Sequence, residues 1–300
     1  MNKKVLIIGG TGFLGYNLAK KLLLHKFNIT LLCKKKKIKI LKLKKTKYLY
    51  CNLENFQKLK QKLNENFDIV INFSGNIDHQ NKEQTFKTHY GGTKNLFHIL
   101  KNKNIQLFIQ AGSSLEYGKK SSPQKESRVS KPISVYGKAK FLASNFLLKS
   151  KVNFKIIILR MYQVYGPYQK NDRLIPQVIN YCINNKKFPC TNGHQKRDFL
   201  YIDDLTNLIL KIVKKKNLRT GIYNIGSGKP KKVRDIIKKL VKFSKGGKPQ
   251  YGALKMRKDE IKKLYPKIAK IKKEFNWSPK INIDKGLKKT VMFYKKNLIR

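Results

Sequence analysis

Hydrophobic and polar positions follow two rhythms along this chain. Val5 to Ile8 are consecutive apolar residues, mostly β-branched, the pattern of a short strand buried on both faces. From Leu14 to Leu24 the apolar residues recur instead at helical spacing. The switch repeats. Asn28–Cys33, Lys47–Tyr50, Phe67–Phe73, Ile105–Gln110 and Phe154–Leu159 read as further strands, and helical periodicity fills 54–64, 82–103 and 136–150. Strands alternating with helices predict an α/β fold with a doubly wound parallel sheet, covered on both faces and joined by right-handed crossovers. After about Tyr165 the rhythm loosens, and Pro167, Pro176, Pro189, Pro230, Pro249, Pro266 and Pro279 punctuate short elements. That predicts a first domain over 1–165, to which 198–225 returns, and a smaller α/β domain over 166–300. Lys245–Gly252, rich in Gly, Lys and Pro, is expected to be a mobile loop.

The first strand breaks into Gly9, Gly12 and Gly15, with Phe13 and Leu14 at the mouth of the following helix. Glycines also end strands for steric reasons alone. Here the strand before and the helix after favour a dinucleotide site: Gly9 for the turn, Gly12 for close approach of a pyrophosphate, Gly15 for helix–strand packing. In a parallel sheet ligands sit at the carboxyl ends of strands, where Ser74 and Ser113 also fall. NAD-binding units place an acid about 20 residues beyond the glycines, for the ribose 2′-hydroxyl. This chain has Cys33 and then Lys34 to Lys37 there. Either the cations meet a 2′-phosphate, favouring NADP(H) over NAD(H), or they are background in a lysine-rich chain.

Composition narrows the classes. A net charge of +53 over 300 residues invites a nucleic-acid reading. Only eight of the 69 basic residues are arginine, the better bidentate reader of phosphates and bases, and the lysines are scattered. Specific nucleic-acid binding is not expected; salt-sensitive adhesion to polyanions is. No apolar run approaches the ~20 residues of a membrane span. A strand from Val5 leaves no room for a signal peptide, so a cytoplasmic location is expected. Cys33, Cys51, Cys182 and Cys190 form no CxxC pair and have no histidine cluster beside them, so no metal site is expected.

Candidate chemistry centres on Tyr136-Gly-Lys-Ala-Lys140, which puts Tyr136 and Lys140 one helical turn apart on one face. A tyrosine near pKa ~10 is a poor base at neutral pH, and a nearby ammonium stabilises its phenolate. Upstream, Ala111-Gly-Ser113-Ser114 ends the fifth strand with a hydroxyl that can reach the same substrate oxygen. At this point the chain closely resembles the extended short-chain dehydrogenase/reductase superfamily, in its sugar-nucleotide epimerase/dehydratase branch. Six ordered motifs carry the likeness: the glycines at 9–15, Gly-Ser-Ser-Leu-Glu-Tyr-Gly at 112–118, Tyr-Gly-Lys-Ala-Lys at 136–140, Arg160 to Pro167, Arg197 to Asp204, and Tyr223 to Gly228. Phe275 to Pro279 looks like the family's closing turn.

The resemblance implies a Rossmann-type sheet followed by a sugar-nucleotide substrate domain. Ser113 would hydrogen-bond the reacting oxygen, Tyr136 would act as acid/base, and Lys140 would hold the nicotinamide ribose. Asn52, Leu53, Phe73, Ser74 and Gly75 would complete the cofactor site, Asn52 taking the place of a frequent aspartate. Ser114, Gln163, Arg197 and Arg257 would contact the substrate, the arginines at its diphosphate. The resemblance also implies a homodimer through helices 82–103 and 136–150. Gln163 replaces a usual Asn, and His89 replaces another and is read as a satisfied structural histidine. Asp203 and Asp204 are read as caps of a helix starting at Leu205. Ser114 and Leu115 stand where 4,6-dehydratases carry Asp-Glu, which argues against that elimination. The expected reaction is reduction of a 4-keto-6-deoxyhexose nucleotide for surface glycans. NAD-dependent 4-epimerisation of the UDP-glucose type is the alternative, and a non-catalytic NADP-sensing or RNA-adhering protein the distant third.

Overall fold

The computed structural model describes residues 3–35, 42–75, 81–257 and 260–298. In chain order the elements are β1 (Lys4–Ile8), α1 (Phe13–Leu24), β2 (Asn28–Cys33), β3 (Thr46–Tyr50), α2 (Phe56–Lys62), β4 (Ile69–Asn72) and α3 (Lys82–Phe86). A π-helical turn (Lys87–Gly91) leads into α4 (Gly92–Leu100), then β5 (Leu107–Ser113), a 3-10 turn (Ser114–Tyr117), α5 (Val135–Lys149), β6 (Lys155–Met161) and β7 (Gln163–Tyr165). There follow α6 (Leu174–Ile183), β8 (Lys187–Cys190), β9 (Lys196–Arg197), β10 (Phe199–Tyr201), α7 (Ile202–Lys214), β11 (Gly221–Ile225), β12 (Lys231–Lys232) and α8 (Val233–Ser244). The chain closes with β13 (Lys248–Tyr251), β14 (Lys263–Leu264), α9 (Ala269–Phe275) and α10 (Ile283–Leu298).

The chain divides into two compact units. The first takes residues 1–120, 126–161 and 206–224; the second takes 121–125, 162–205 and 225–300. The first unit is built on a seven-stranded sheet in the order β11-β6-β5-β4-β1-β2-β3, and the pairings from β6 across to β3 are parallel. The strand order reverses between β1 and β4, which opens a crevice at their carboxyl ends. One face of the sheet buries Leu6, Ile8, Val70, Phe108 and Ile158 against Leu96, Phe97, Leu100 and Leu147 from α4 and α5. Full burial of each such side chain contributes about 1.5–3 kcal/mol.

The helix expected over 82–103 is broken into α3, a π-helical turn and α4, ending at Leu100. At Gly92 an added Cβ would meet the Leu53 side chain at 2.9 Å, so the backbone runs closer to its neighbour than any larger residue allows. Asn55 and Ser134 cap α2 and α5, their side-chain oxygens accepting the amides of Lys58 and Gly137.

The second unit contains the short sheets β10-β7, β12-β9-β14 and β13-β8, and α6, α8 and α10 bury Ile175, Ile179, Ile236, Leu240, Leu287 and Val291. Two expectations are corrected in this unit. Lys245–Gly252 is not a loop: Lys248–Tyr251 pairs in parallel with Lys187–Cys190, after Lys245 has ended α8 in a left-handed turn. Pro249 sits on that ribbon, and β13 has β8 as its one partner, so an edge strand tolerates it. Asp203 and Asp204 also do not cap a helix starting at Leu205, because α7 already begins at Ile202. Asp204 instead accepts the amides of Lys280 (3.0 Å) and Ile281 (3.0 Å), which ties the segment before α10 to α7.

Candidate active site

The glycine turn sits at the crevice. Gly9 has a left-handed backbone, φ +75°, and a Cβ there would lie 2.9 Å from the Phe73 carbonyl oxygen. At Gly15 a Cβ would lie 2.5 Å from the Gly9 carbonyl oxygen, so α1 meets the end of β1 only because residue 15 lacks one. No described side chain caps α1, and its first turn holds no acid. Tyr16 already donates to Gly12 O (2.9 Å), which leaves the amides of Phe13, Leu14 and Gly15 as first-turn donors without intrahelical acceptors. An uncapped helix mouth beside a tight backbone fits a dinucleotide pyrophosphate.

Around this turn lie the other sequence-predicted cofactor residues of the first unit. Asn72, fully buried at the end of β4, donates to Gln110 (2.9 Å) and Thr93 (3.3 Å). Its Oδ1 accepts both the amide (3.0 Å) and the hydroxyl (2.5 Å) of Ser74. That network shapes the turn from Phe73 to Gly75. Asn52 is half-buried and Leu53 is buried, with the Leu53 carbonyl accepting Asn95 Nδ2 at 2.8 Å. Lys34 and Lys35 are exposed beyond β2. Lys36 and Lys37 lie outside the described residues.

The candidate catalytic residues converge on the carboxyl end of β5. Lys140 is buried, donates to the Ala111 carbonyl (2.9 Å), and holds its Nζ 5.9 Å from the centroid of the Tyr136 ring. Burial pushes its pKa down to about 8, against the opposing charge of Glu116. Tyr136 is half-buried, and the imidazole of His89 meets its ring edge-on at 4.9 Å. His89, itself buried, is therefore part of the wall of the candidate site. Gly137, between Tyr136 and Lys140, allows α5 to approach the 3-10 turn: a Cβ there would stand 2.6 Å from the Leu115 carbonyl oxygen. Ser113, at the last position of β5, accepts the Leu115 amide at its hydroxyl (3.2 Å).

Sequence reasoning missed the acid beneath this set. Glu116 is fully buried and receives the Ser113 amide (2.7 Å) on one oxygen and Arg160 Nε (2.9 Å) on the other. The visible signal was a lone carboxylate inside a motif of an acid-poor chain.

The predicted substrate residues divide between the units. Ser114 lies in the first, buried in the 3-10 turn. Gln163, Arg197 and Arg257 belong to the second. Gln163 and Arg257 are exposed. Arg197 is buried and already engaged: it donates to the carbonyls of Lys196 (2.8 Å) and Ile261 (2.7 Å) and forms an ion pair with Glu260. Burial lowers its pKa, and Glu260 opposes that shift.

Comparison with known proteins agrees with this fold. The profile of the family described as NAD dependent epimerase/dehydratase matches residues 5–226. CDP-abequose synthase of Salmonella muenchen is 29% identical over 96% of this chain and 97% of its own. UDP-glucuronate 4-epimerase of Thermodesulfobacterium geofontis is 32% identical over 69% of this chain and 65% of its own. Among solved structures, UDP-glucuronic acid 4-epimerase from Bacillus cereus, in complex with UDP-glucuronic acid and NAD, superposes with a TM-score of 0.86 at 23% identity, covering 98% of this chain and 99% of that one.

Proposed function

The chain belongs to the NAD-dependent epimerase/dehydratase family, whose members are enzymes acting on nucleotide sugars with NAD(P), and on that premise we propose that it works at carbon 4 of a nucleotide-linked hexose. The preferred reaction is reduction of a 4-keto-6-deoxyhexose nucleotide, with a cytosolic enzyme supplying surface-glycan synthesis. The observation that carries the proposal is the buried Lys140 ammonium beside Tyr136, at the strand end that bears Ser113.

A bound nicotinamide would supply the hydride exchange with the sugar carbon. Tyr136 gives the proton to the oxygen on that carbon, or takes it in the reverse direction. Lys140 keeps a positive charge beside the phenol, which stabilises the phenolate and lowers the Tyr136 pKa. Ser113, whose hydroxyl already accepts the Leu115 amide, donates a hydrogen bond to the same substrate oxygen and orients it. The amides of Phe13, Leu14 and Gly15 would hold the pyrophosphate, with Gly9 and Gly12 forming the turn that leads to them. Asn52, Leu53, Phe73, Ser74 and Gly75 flank the rest of the cofactor. Ser114, Gln163, Arg197 and Arg257 serve the nucleotide sugar.

Lys34 and Lys35, with no acid at the end of β2, support NADP(H) over NAD(H) and so support reduction. The near full-length likeness to CDP-abequose synthase supports a nucleotide-linked sugar as substrate. Elimination is disfavoured because neither Ser114 nor Leu115 can act as an acid. Glu116 is no substitute for the missing acids, since both its oxygens are engaged. The second reading is 4-epimerisation with retained NAD, favoured by the 32% identity to a UDP-glucuronate 4-epimerase. Purified protein is offered NADPH with a dTDP-, GDP- or CDP-linked 4-keto-6-deoxyhexose. The reductase reading predicts stoichiometric loss of NADPH absorbance. Interconversion of UDP-glucose and UDP-galactose, or of the corresponding uronates, without added reductant would replace it with the epimerase.

A further inference from the structure

Beneath the candidate acid/base set lies a charge that this reaction does not consume. Glu116 and Tyr117 are fully buried and Arg160 is 1% exposed. One Glu116 oxygen accepts the amide of Ser113 at 2.7 Å, and the other accepts Arg160 Nε at 2.9 Å. Arg160 in turn stacks its guanidinium 4.4 Å above the Tyr117 ring, and the Tyr117 hydroxyl donates to Asn224 (2.8 Å). Gly112 makes room for the carboxylate: a Cβ on it would stand 2.7 Å from Glu116 Oε1. The carboxylate is thus pressed against the strand end that carries Ser113, and Lys140 is anchored to Ala111, two residues upstream on the same strand.

Stability gives little reason for such an arrangement. Buried ion pairs are often replaced by apolar residues at no loss, because desolvation offsets their attraction. Charge balance gives a better one. The buried anion pairs with Arg160, and its charge also opposes the desolvation of Lys140. Lys140 lies beside Tyr136 on its own helix and feels the charge of Glu116 from the 3-10 turn; Glu116 pairs with Arg160 from β6, which stacks on Tyr117, and His89 from the π-helical turn lies against Tyr136. Of the other ionisable groups on the packed helices, Glu83 and Lys87 pair with each other, Lys94 lies over Tyr90, and His98 sits beside Phe97.

We propose that Glu116 is a positioning residue for the reaction: it fixes Ser113 through the backbone amide and supplies the negative charge that keeps Lys140 an ammonium beside Tyr136. The inference rests on the reading of Ser113, Tyr136 and Lys140 as the working set. With the Lys140 pKa near 8, the protonated form leads at neutral pH by only about a factor of ten. Losing the carboxylate takes away the charge that opposes the desolvation of Lys140.

Two variants separate the two roles. Glu116→Gln keeps the size and an acceptor for the Ser113 amide but removes the charge. Glu116→Asp keeps the charge and shortens its reach. The first readout needs no substrate: the pH titration of the Lys140 side-chain carbon resonance in ¹³C-lysine protein, assigned by its absence from Lys140→Met. The second is kcat and KM in the assay described above. In Glu116→Gln the Lys140 midpoint is expected to fall by about one unit or more and kcat by about tenfold or more, with KM for the cofactor within about threefold. In Glu116→Asp the midpoint stays near that of the parent while kcat falls. An unmoved Lys140 midpoint in Glu116→Gln, or parental kcat in Glu116→Asp, would overturn the proposal. Unchanged turnover in Tyr136→Phe would instead overturn the reading of the set, and the Lys140 titration would still judge Glu116.

Discussion

Lys140 carries its charge where charge is disfavoured, and that has a consequence for stability as well as for chemistry. Its folded-state pKa, about 8, lies below the ordinary lysine value of 10.5. Below about pH 8 both folded and unfolded chains hold the proton, and the full penalty of burying the ammonium is present. Between about 8 and 10.5 the unfolded chain binds more protons, so stability rises with pH through that window. Lys140→Met removes the titration. The difference in Tm between Lys140→Met and the parent is therefore expected to shift in favour of the parent as pH rises from 7 to 10, measured by scanning calorimetry in matched buffers. A difference independent of pH would mean that Lys140 is not titrating from a buried site. Neighbouring side chains share the same economy of space: His89 leans on the Tyr136 ring, and Gly112 yields its volume to Glu116.

At the scale of elements, Gly15 decides how closely α1 meets the end of β1. Gly15→Ala would bring a Cβ to 2.5 Å from the Gly9 carbonyl oxygen, so α1 must retreat from the turn. A loss of NADPH affinity of about tenfold or more is expected, read by fluorescence titration; parental affinity would show that the helix mouth does not hold the cofactor. Core packing gives a separate prediction. Phe108 is fully buried on β5, and Phe108→Ala is expected to cost about 3–5 kcal/mol in denaturant unfolding.

The same elements show what the sequence made legible. The strands β1, β2 and β3 and the glycine turn follow from continuous apolar runs and glycine spacing, which are local signals. Tyr136 and Lys140 were visible as a pair because helical spacing puts them on one face. The break of 82–103 into a π-helical turn was not visible, since His89 and Tyr90 keep a helical pattern while Gly92 is drawn against Leu53 by packing across the unit. Nor was the β13 ribbon: Lys248-Pro-Gln-Tyr251 has loop composition and becomes a strand only because β8 offers it a partner. Arg197 could be placed in a motif, but its engagement by Glu260 and the Ile261 carbonyl depends on a segment some sixty positions away.

For the molecule as a whole, the net charge of +53 bears on encounter more than on fold. A nucleotide sugar and NADPH are both anionic. Values of kcat/KM are expected to fall severalfold as ionic strength rises from about 0.05 to 0.5 M, with kcat little changed, because the field that gathers anions is screened. Equal falls in kcat would point to a loss of structure instead. No described helix is long and apolar enough to cross a membrane. The homodimer that the family resemblance implies, through 82–103 and 136–150, predicts twice the 35.0 kDa chain mass in light scattering. Leu142, 38% exposed on α5, is a position where Leu142→Glu should yield monomer if that face pairs.

The central claim is that the Tyr136 phenol exchanges a proton with the oxygen on carbon 4 while Lys140 keeps that phenol acidic. Steady-state turnover of Tyr136→Phe against the parent, at saturating NADPH and with cofactor affinity checked independently, tests it most directly. A fall in kcat of about 10²–10⁴-fold with NADPH still bound is the predicted result. Parental kcat in the variant would contradict the account.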